Sequence, residues 1–92
     1  MKYLFVGVEK KMNEVNEFLN SNLEPHEDFY ITSNVTPKEV REYLEELGWE
    51  YSDYDKDYWH TWVYFFNPES EKRLGLSIDV EEFKMSLYWM EE

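Results

Sequence analysis

Residues 58–90, YWHTWVYFFNPESEKRLGLSIDVEEFKMSLYWM, decide the fold because their apolar side chains recur at every second position. A period of two is typical of β-strands, whose successive side chains point to opposite faces. Turn-forming residues interrupt the pattern at 67–70 and at 81–82. We therefore predict three strands: Tyr58–Phe66, Leu74–Val80 and Phe83–Met90. Connections this short join antiparallel neighbours, so the stretch predicts a C-terminal meander.

Three segments upstream of the meander predict further strands. Trp49–Tyr54 is followed by a turn at residues 55–57, and Phe29–Thr32 is a short extended segment. Lys2–Val8 is apolar on both faces, which indicates a buried, central strand. Together with the meander, these segments predict an antiparallel sheet of about four to six strands.

The best-defined helix begins with TPKE at residues 36–39. The threonine is a typical N-cap, the proline suits the first helical position, and the glutamate completes a capping box. Val35 and Val40 flank this start as a hydrophobic staple. We expect the helix to end at Gly48, since glycine is the usual left-handed residue after a helix. The side chains that this helix should bury are Val40, Tyr43, Leu44 and Leu47.

An earlier helix is predicted over Glu9–Leu23, where apolar side chains follow the three-and-four spacing of an amphipathic helix. Pro25 should end it. Two helices and an antiparallel sheet predict a two-layer α+β fold, with both helices packed on one face of the sheet. A chain of 92 residues suits one domain, so we expect residues 1–92 to form a single unit.

The composition disfavours several classes of function. The net charge of −12 opposes direct binding to nucleic acid or to an anionic membrane. No apolar run approaches the roughly 20 residues that span a bilayer. The chain has no cysteine, which removes thiolate catalysis and zinc–thiolate sites and suggests the reducing environment of the cytoplasm.

The negative charge is concentrated in the middle of the chain. Residues 24–57 hold eleven acids against three bases, hence eight of the twelve net negative charges, whereas residues 1–23 carry three of each. Aromatic residues lie among these acids, and the mixture predicts a surface that binds a partner protein. Its predicted acidic contacts are Glu39, Glu42, Glu45, Glu46, Glu50, Asp53, Asp55 and Asp57. Its predicted aromatic contacts are Trp49, Tyr51, Tyr54, Tyr58, Trp62 and Tyr64.

The glutamates of the second helix carry much of this argument. Glu39, Glu42 and Glu46 lie three and four residues apart, so they are neighbours on one helix face, where like charges destabilise a helix slightly. Folding alone does not require such a row, so the row indicates a role in binding; the alternative is an ordinary solvated helix face. Mimicry of a nucleic acid is favoured if this row and the aspartates of residues 53–57 form one continuous surface. If they point in opposite directions, the charge serves only solvation.

Signals for a metal or an active site are weaker. Asp53, Asp55 and Asp57 alternate like the first ligands of a calcium loop. However, Tyr58 stands in place of the glycine of that loop, and Tyr64 in place of its bidentate glutamate. The sequence also has no thiol and no glycine-rich phosphate loop. We expect no catalytic residue, no metal and no cofactor.

The charge pattern therefore predicts a small acidic inhibitor or decoy. In charge and length the chain resembles a functional class that includes phage-encoded DNA mimics, anti-restriction and anti-CRISPR proteins, and inhibitors of nucleases. This resemblance implies a basic nucleic-acid-binding protein or a nuclease as the partner. Carboxylates would replace phosphates, and aromatic rings would take the places of bases.

A second hypothesis rests on the strand Tyr58–Phe66, which is apolar on both sides. His60, Trp62 and Tyr64, with Tyr88, would form a stripe on the side away from the helices. If exposed, the stripe would mark a protein-binding or homodimer surface; the alternative is that neighbouring segments or a terminus cover it. Binding through rings should change little with salt, whereas binding through carboxylates should weaken strongly.

Overall fold

The computed structural model describes residues 11–91, in which two helices and a five-stranded antiparallel sheet form an α+β fold. The elements in chain order are α1 (Asn13–Leu19), β1 (Phe29–Ile31), α2 (Pro37–Glu46), β2 (Glu50–Lys56), β3 (His60–Asn67), β4 (Lys72–Asp79) and β5 (Lys84–Trp89). The strand order is β1-β5-β4-β3-β2, so β2 to β5 form the C-terminal meander and β1 pairs with β5. The predicted fold class is confirmed. The predicted strand Lys2–Val8 lies outside the described residues.

Both helices pack on the same face of the sheet and close a single apolar core. The ring of Phe18 in α1 stacks on Trp89 of β5, with 4.5 Å between ring centroids. Other buried side chains of this core are Met12, Val15, Val40, Tyr43, Leu44, Phe65, Leu74, Leu76, Met85 and Leu87. Because side chains alternate along a strand, the intervening residues of each strand point away from the helices.

The start and the end of α2 confirm the predicted caps. The Thr36 hydroxyl accepts a hydrogen bond from the Glu39 N–H at 3.1 Å, and Glu39 Oε1 accepts one from the Thr36 N–H at 2.9 Å. Gly48 follows the C-cap residue with φ of +98°, in the region that glycine alone adopts without strain. The helix bounds were therefore readable from local sequence.

One prediction for the end of α2 is wrong, because Leu47 is 45% exposed instead of buried. The Gly48 N–H donates to the Glu45 carbonyl at 3.1 Å. The Trp49 N–H donates to the Leu44 carbonyl at 2.9 Å. This pair of bonds is the Schellman arrangement, which often brings the second residue after the helix into apolar contact with its last turn. Trp49, only 6% exposed, therefore occupies the core at the position expected for Leu47.

Helix α1 is shorter than predicted, since it ends at Leu19 rather than Leu23. The side chains of Asn20 and Ser21 each donate to a backbone carbonyl of the last turn, at 2.9 and 2.6 Å. Such bonds compete with continuation of a helix. No helix within the described residues is long and apolar enough to cross a membrane.

Glu14 ties this short helix to the segment that follows β1. Its carboxylate accepts hydrogen bonds from the Thr32 N–H at 3.0 Å, from the Thr32 hydroxyl at 2.7 Å and from the Ser33 N–H at 2.6 Å. Burial raises the pKa of Glu14, but the hydrogen bonds from Ser33 and Thr32 outweigh burial and lower the pKa to about 2. The ionised carboxylate therefore connects α1 to the segment that follows β1.

The turn between β2 and β3 lies later in the chain than predicted. β2 continues through Lys56, past its predicted end, and β3 begins only at His60. Asp57 Oδ1 accepts hydrogen bonds from the N–H groups of Trp59 and His60, both at 2.8 Å. A side chain that bonds the backbone two and three residues ahead fixes a tight turn.

We predict that replacing Gly48 with alanine destabilises the protein by about 1–2 kcal/mol, because a β-carbon is strained at a positive φ. Gly48→Asn should lose less, since asparagine tolerates the left-handed region. Urea denaturation measures both free energies of unfolding. Equal stability of the wild type and Gly48→Ala would contradict the assigned cap.

We predict that Glu14→Gln lowers the free energy of unfolding at neutral pH by roughly 1–2 kcal/mol, after allowing for solvent screening of this partly exposed group. The folded-state pKa of about 2 lies below the ordinary 4.5, so the stabilisation is complete above pH 4.5 and is lost as the pH falls toward 2. Urea denaturation between these pH values should show the two proteins converging at the acid end. A difference that does not change with pH would contradict this role.

Candidate protein-binding surface

The face of the sheet opposite the helices is called the outer face. It carries Tyr30 of β1; Glu50, Asp53 and Asp55 of β2; His60, Trp62, Tyr64 and Phe66 of β3; Arg73, Gly75, Ser77 and Asp79 of β4; and Lys84, Ser86 and Tyr88 of β5. The rings of β3 on this face are partly exposed. The outer face thus unites the predicted aromatic stripe with some of the predicted acidic residues.

Each outer-face carboxylate of β2 lies directly across from an aromatic ring of β3. The three cross-strand pairs are Glu50 with Phe66, Asp53 with Tyr64, and Asp55 with Trp62. Directly opposite side chains of antiparallel strands are about 4.5–5.5 Å apart at their β-carbons, so each acid and its ring form one contact unit. The edge of the sheet therefore places three carboxylates opposite rings. Over one of these rings, that of Phe66, the guanidinium carbon of Arg73 lies 4.9 Å from the centroid.

A β-bulge produces this arrangement. The register of β2 against β3 shifts between Tyr51 and Asp53, which leaves Ser52 without a directly opposite residue. Without the extra residue, Glu50 and Asp53 would point to opposite faces, because they are an odd number of positions apart. The bulge brings both carboxylates to the outer face and turns Tyr51 and Tyr54 toward the helix side.

Asp53 and Asp55 also accept hydrogen bonds from backbone N–H groups of β2, the strand at the edge of the sheet. Asp53 Oδ1 accepts the N–H of Tyr54 at 2.8 Å, and Asp55 Oδ1 accepts the N–H of Lys56 at 2.9 Å. β2 is an edge strand, where unpaired N–H groups invite pairing with another chain. These bonds disfavour extension of the sheet at β2 and hold both carboxylates close to the backbone.

The glutamates of α2 belong to the opposite side of the molecule, because α2 packs on the inner face. Glu39 forms an ion pair with Lys11 at 3.0 Å, and Glu45 forms one with Arg41 at 3.1 Å. The backbone hydrogen bond from the N-cap residue, and then the contact with Lys11, lower the pKa of Glu39. Glu39 of the row and the neighbouring Glu45 therefore have structural partners. The other two glutamates of the row, Glu42 and Glu46, are exposed.

The helix row and the β2 acids thus do not form one surface, since they lie on opposite sides of the sheet. The condition under which the row and the aspartates together favour mimicry is therefore not met, and the charge of the helix row is that of a solvated face.

The predicted aromatic contacts also lie in different parts of the molecule. Trp49 lies in the core, with its ring 6.0 Å from that of Trp89, so no partner can reach it in this structure. Tyr51 lies beneath Arg41, whose guanidinium carbon is 4.5 Å from the ring centroid. Tyr54 and Tyr58 are exposed outside the outer face, the latter at the β2–β3 turn.

Gly75 shapes the centre of the outer face. A β-carbon at this position would overlap the ring of Tyr88, which lies across the glycine toward Tyr64. Burial raises the pKa of Tyr88 to about 12, and the neighbouring Tyr64 and the hydrogen bond with it act in the same direction. Burial and the charge of Asp55 raise the pKa of Tyr64. A glycine inside a strand signals such a close approach, and the sequence offered that signal.

His60 lies at one end of the outer face between two aspartates. Its Nδ1 is 3.7 Å from Asp57 Oδ1, and its Nε2 is 3.8 Å from Asp79 Oδ2. Hydrogen bonds from backbone N–H groups, more than the contact with His60, lower the pKa of both carboxyl groups. The imidazole stacks on Trp62 with 5.3 Å between ring centroids. This end of the face is thus rigid and acidic.

A groove of about 570 Å³ lies on the part of the outer face formed by β1, β5 and the end of β4, and the paired serines Ser77 and Ser86 line it. Ser86 is 5% exposed, and its hydroxyl donates to Asp28 Oδ1 at 3.3 Å. Within residues 11–91, no group of three or more histidines and carboxylates is placed to hold a metal ion. The expected absence of catalysis stays a prediction.

We predict that Gly75→Ala displaces the Tyr88 ring and lowers the free energy of unfolding by about 1–3 kcal/mol. The pKa of Tyr88 should fall from about 12 toward its ordinary value as the ring becomes exposed. NMR titration of the tyrosine rings measures the pKa, and Ser77→Ala on the same strand and face is the control. An unchanged Tyr88 titration in Gly75→Ala would contradict the packing described.

A scan against protein-family models found no match to this sequence. Searches of curated proteins and of solved structures found no similar protein either. The function is therefore argued from the geometry and charge of the outer face.

Proposed function

We propose that this protein is a small acidic inhibitor or decoy, of the anti-restriction, anti-CRISPR or nuclease-inhibitor type, that binds a basic nucleic-acid-binding protein through the outer face of its sheet. The observation that supports the proposal is the set of three cross-strand acid–ring pairs on β2 and β3. Carboxylates there stand in for phosphates, and the exposed edges of Trp62 and Tyr64 stand in for bases. The proposal places contacts on the outer face rather than on the glutamates of α2.

The acids of β2 are spaced more widely than the phosphates of DNA. Asp53 and Asp55 are two residues apart on one strand, which corresponds to about 6.8 Å along its axis. A DNA strand carries one charge per about 3.4 Å, so β2 offers about half that density in a line. The chain-wide charge of −12 adds a long-range attraction that speeds the encounter with a basic partner. The glutamates of α2 contribute to that field without touching the partner.

The rigid setting of these side chains favours binding further. Asp53 and Asp55 are fixed by backbone hydrogen bonds, and Trp62 is held by the stacked ring of His60. Side chains that are already ordered lose little conformational entropy on binding. We also propose that the protein acts in the cytoplasm, which its lack of cysteine supports.

A second candidate function uses the same rings. Trp62 and Tyr64 are neighbours on one partly exposed face, which favours a peptide-binding or homodimer surface. In a homodimer the outer-face carboxylates of two copies would approach each other and repel. Sedimentation at low and high salt separates the candidates: a dimer that persists or strengthens at high salt supports assembly, and a monomer at both supports the decoy.

The test of the decoy begins with capture of proteins on the immobilised chain from a lysate freed of nucleic acid. A basic protein should be retained at about 50 mM salt, be released by about 200 mM salt, and be displaced by duplex DNA, because DNA and the decoy occupy one groove. Retained proteins that duplex DNA does not displace would contradict the proposal.

Two matched variants then locate the contact surface on the captured partner. Asp53→Asn with Asp55→Asn removes two charges from the outer face and keeps the acceptor oxygens. Glu42→Gln with Glu46→Gln removes two charges from α2. We predict that the first pair weakens binding about tenfold, equivalent to about 1.4 kcal/mol, and that the second changes it little. Equal losses, or a loss in the helix pair alone, would contradict binding through the outer face.

A further inference from the structure

Two turns of the meander have the same pattern of side-chain hydrogen bonds. In the β3–β4 turn, Asn67 Oδ1 accepts the N–H groups two and three residues ahead, at 2.9 and 3.3 Å. In the β4–β5 turn, Asp79 Oδ1 does the same at 2.9 and 2.8 Å. In each turn the fourth residue after the capping side chain adopts a positive φ, +60° at Glu71 and +57° at Phe83. The two turns therefore provide an internal comparison.

The backbone gives no reason for a phenylalanine at the second of these positions. A positive φ favours glycine or asparagine and costs other residues about 1–2 kcal/mol. Glu71 is a polar, exposed residue of the kind that a turn carries. Phe83 is 88% exposed, so burial among the described residues does not compensate its strain. A strained and exposed aromatic residue points to a role outside the fold.

Phe83 belongs to a larger apolar surface at one end of the sheet, which we call the apolar tip. The β2–β3 and β4–β5 turns are joined there by a hydrogen bond from the Val80 N–H to the Trp59 carbonyl at 2.9 Å. The rings of Tyr58 and Trp59 pack edge to face with 4.7 Å between centroids. The four side chains of the tip and their exposed fractions are Tyr58 84%, Trp59 50%, Val80 50% and Phe83 88%.

Acidic side chains surround the apolar tip. Asp57 and Asp79 begin the two turns, and Glu81 and Glu82 lie between Val80 and Phe83 in the chain. The nearby Lys84 pairs with Glu82 at 3.1 Å and offsets one of these charges. An apolar centre with a charged rim is the usual anatomy of a protein interface.

The negative charge of the rim indicates which kind of partner the apolar tip would bind. A second copy of this chain would bring an equally acidic rim, and an anionic bilayer would bring negative headgroups, so both would be repelled. A basic surface with an apolar centre is attracted by the rim and can bury the rings. We propose that the apolar tip anchors the protein in an apolar groove of a partner whose edges are basic. The four apolar side chains of the tip lie outside the outer face, whereas Asp79 and Lys84 of its rim also belong to the outer face. The inference does not depend on the function proposed above.

A synthetic amphipathic helix of lysine and leucine is a suitable probe, because it has an apolar stripe with basic edges. Phe83→Asn removes the ring and relieves the backbone strain, so it should leave the free energy of unfolding unchanged or raised while weakening binding of the labelled peptide about tenfold or more. Glu71→Asn gives the same backbone relief at the other turn and should bind the peptide as the wild type does. Fluorescence anisotropy measures binding, and urea denaturation measures stability.

Several outcomes would overturn the inference. These are failure of the wild type to bind the peptide, equal binding by Phe83→Asn, a loss of stability in that variant, or equally tight binding of a matching glutamate–leucine peptide. The variant Asp53→Asn with Asp55→Asn separates the two proposals. This variant should bind the peptide as the wild type does. If it also binds the captured protein, the one that duplex DNA displaces, as tightly as the wild type, the outer-face proposal is wrong and the proposal for the apolar tip is unaffected.

Discussion

The packing of two short helices against one face of the sheet is the constraint on which the rest of the structure depends. Helices of seven and ten residues are not stable alone in water, so α1 and α2 exist because the sheet offers them an apolar face. That face of the sheet is buried in the core. The alternate side chains of every strand must then face the other way, and the acids of α2 and those of β2 are forced onto opposite sides of the molecule.

This division changes the meaning of the acidic middle of the chain. Some of its carboxylates have structural tasks: Glu39 caps a helix, Asp57 fixes a turn, and Asp53 and Asp55 satisfy the edge of the sheet. A charge that stabilises the fold can also attract a partner, and under the proposed function the carboxylates of β2 do both. The register of β2 against β3 supports this proposal because it places each of them opposite a ring.

The sequence predicted those features that depend on neighbouring residues. Capping at residues 36–39, the stop at Gly48 and the alternation in the meander are local patterns, and the structure confirms them. Other features arise from distant contacts and left no local signal: the hydrogen bonds of Glu14 to residues 32 and 33, and the bulge at Ser52 that turns Glu50 outward. Helical spacing places Leu47 in the core only if the helix continues through it. The chain leaves the helix at Glu46, so Trp49 is buried instead of Leu47.

The central claim is that a basic partner contacts the outer face and not the glutamates of α2. The most direct measurement is NMR cross-saturation of the labelled protein from the partner that duplex DNA displaces. We expect transfer to the amides of β2 and to the rings of Trp62 and Tyr64, with little transfer to α2. Transfer to the Glu42 and Glu46 amides, with none to β2 and β3, would contradict it.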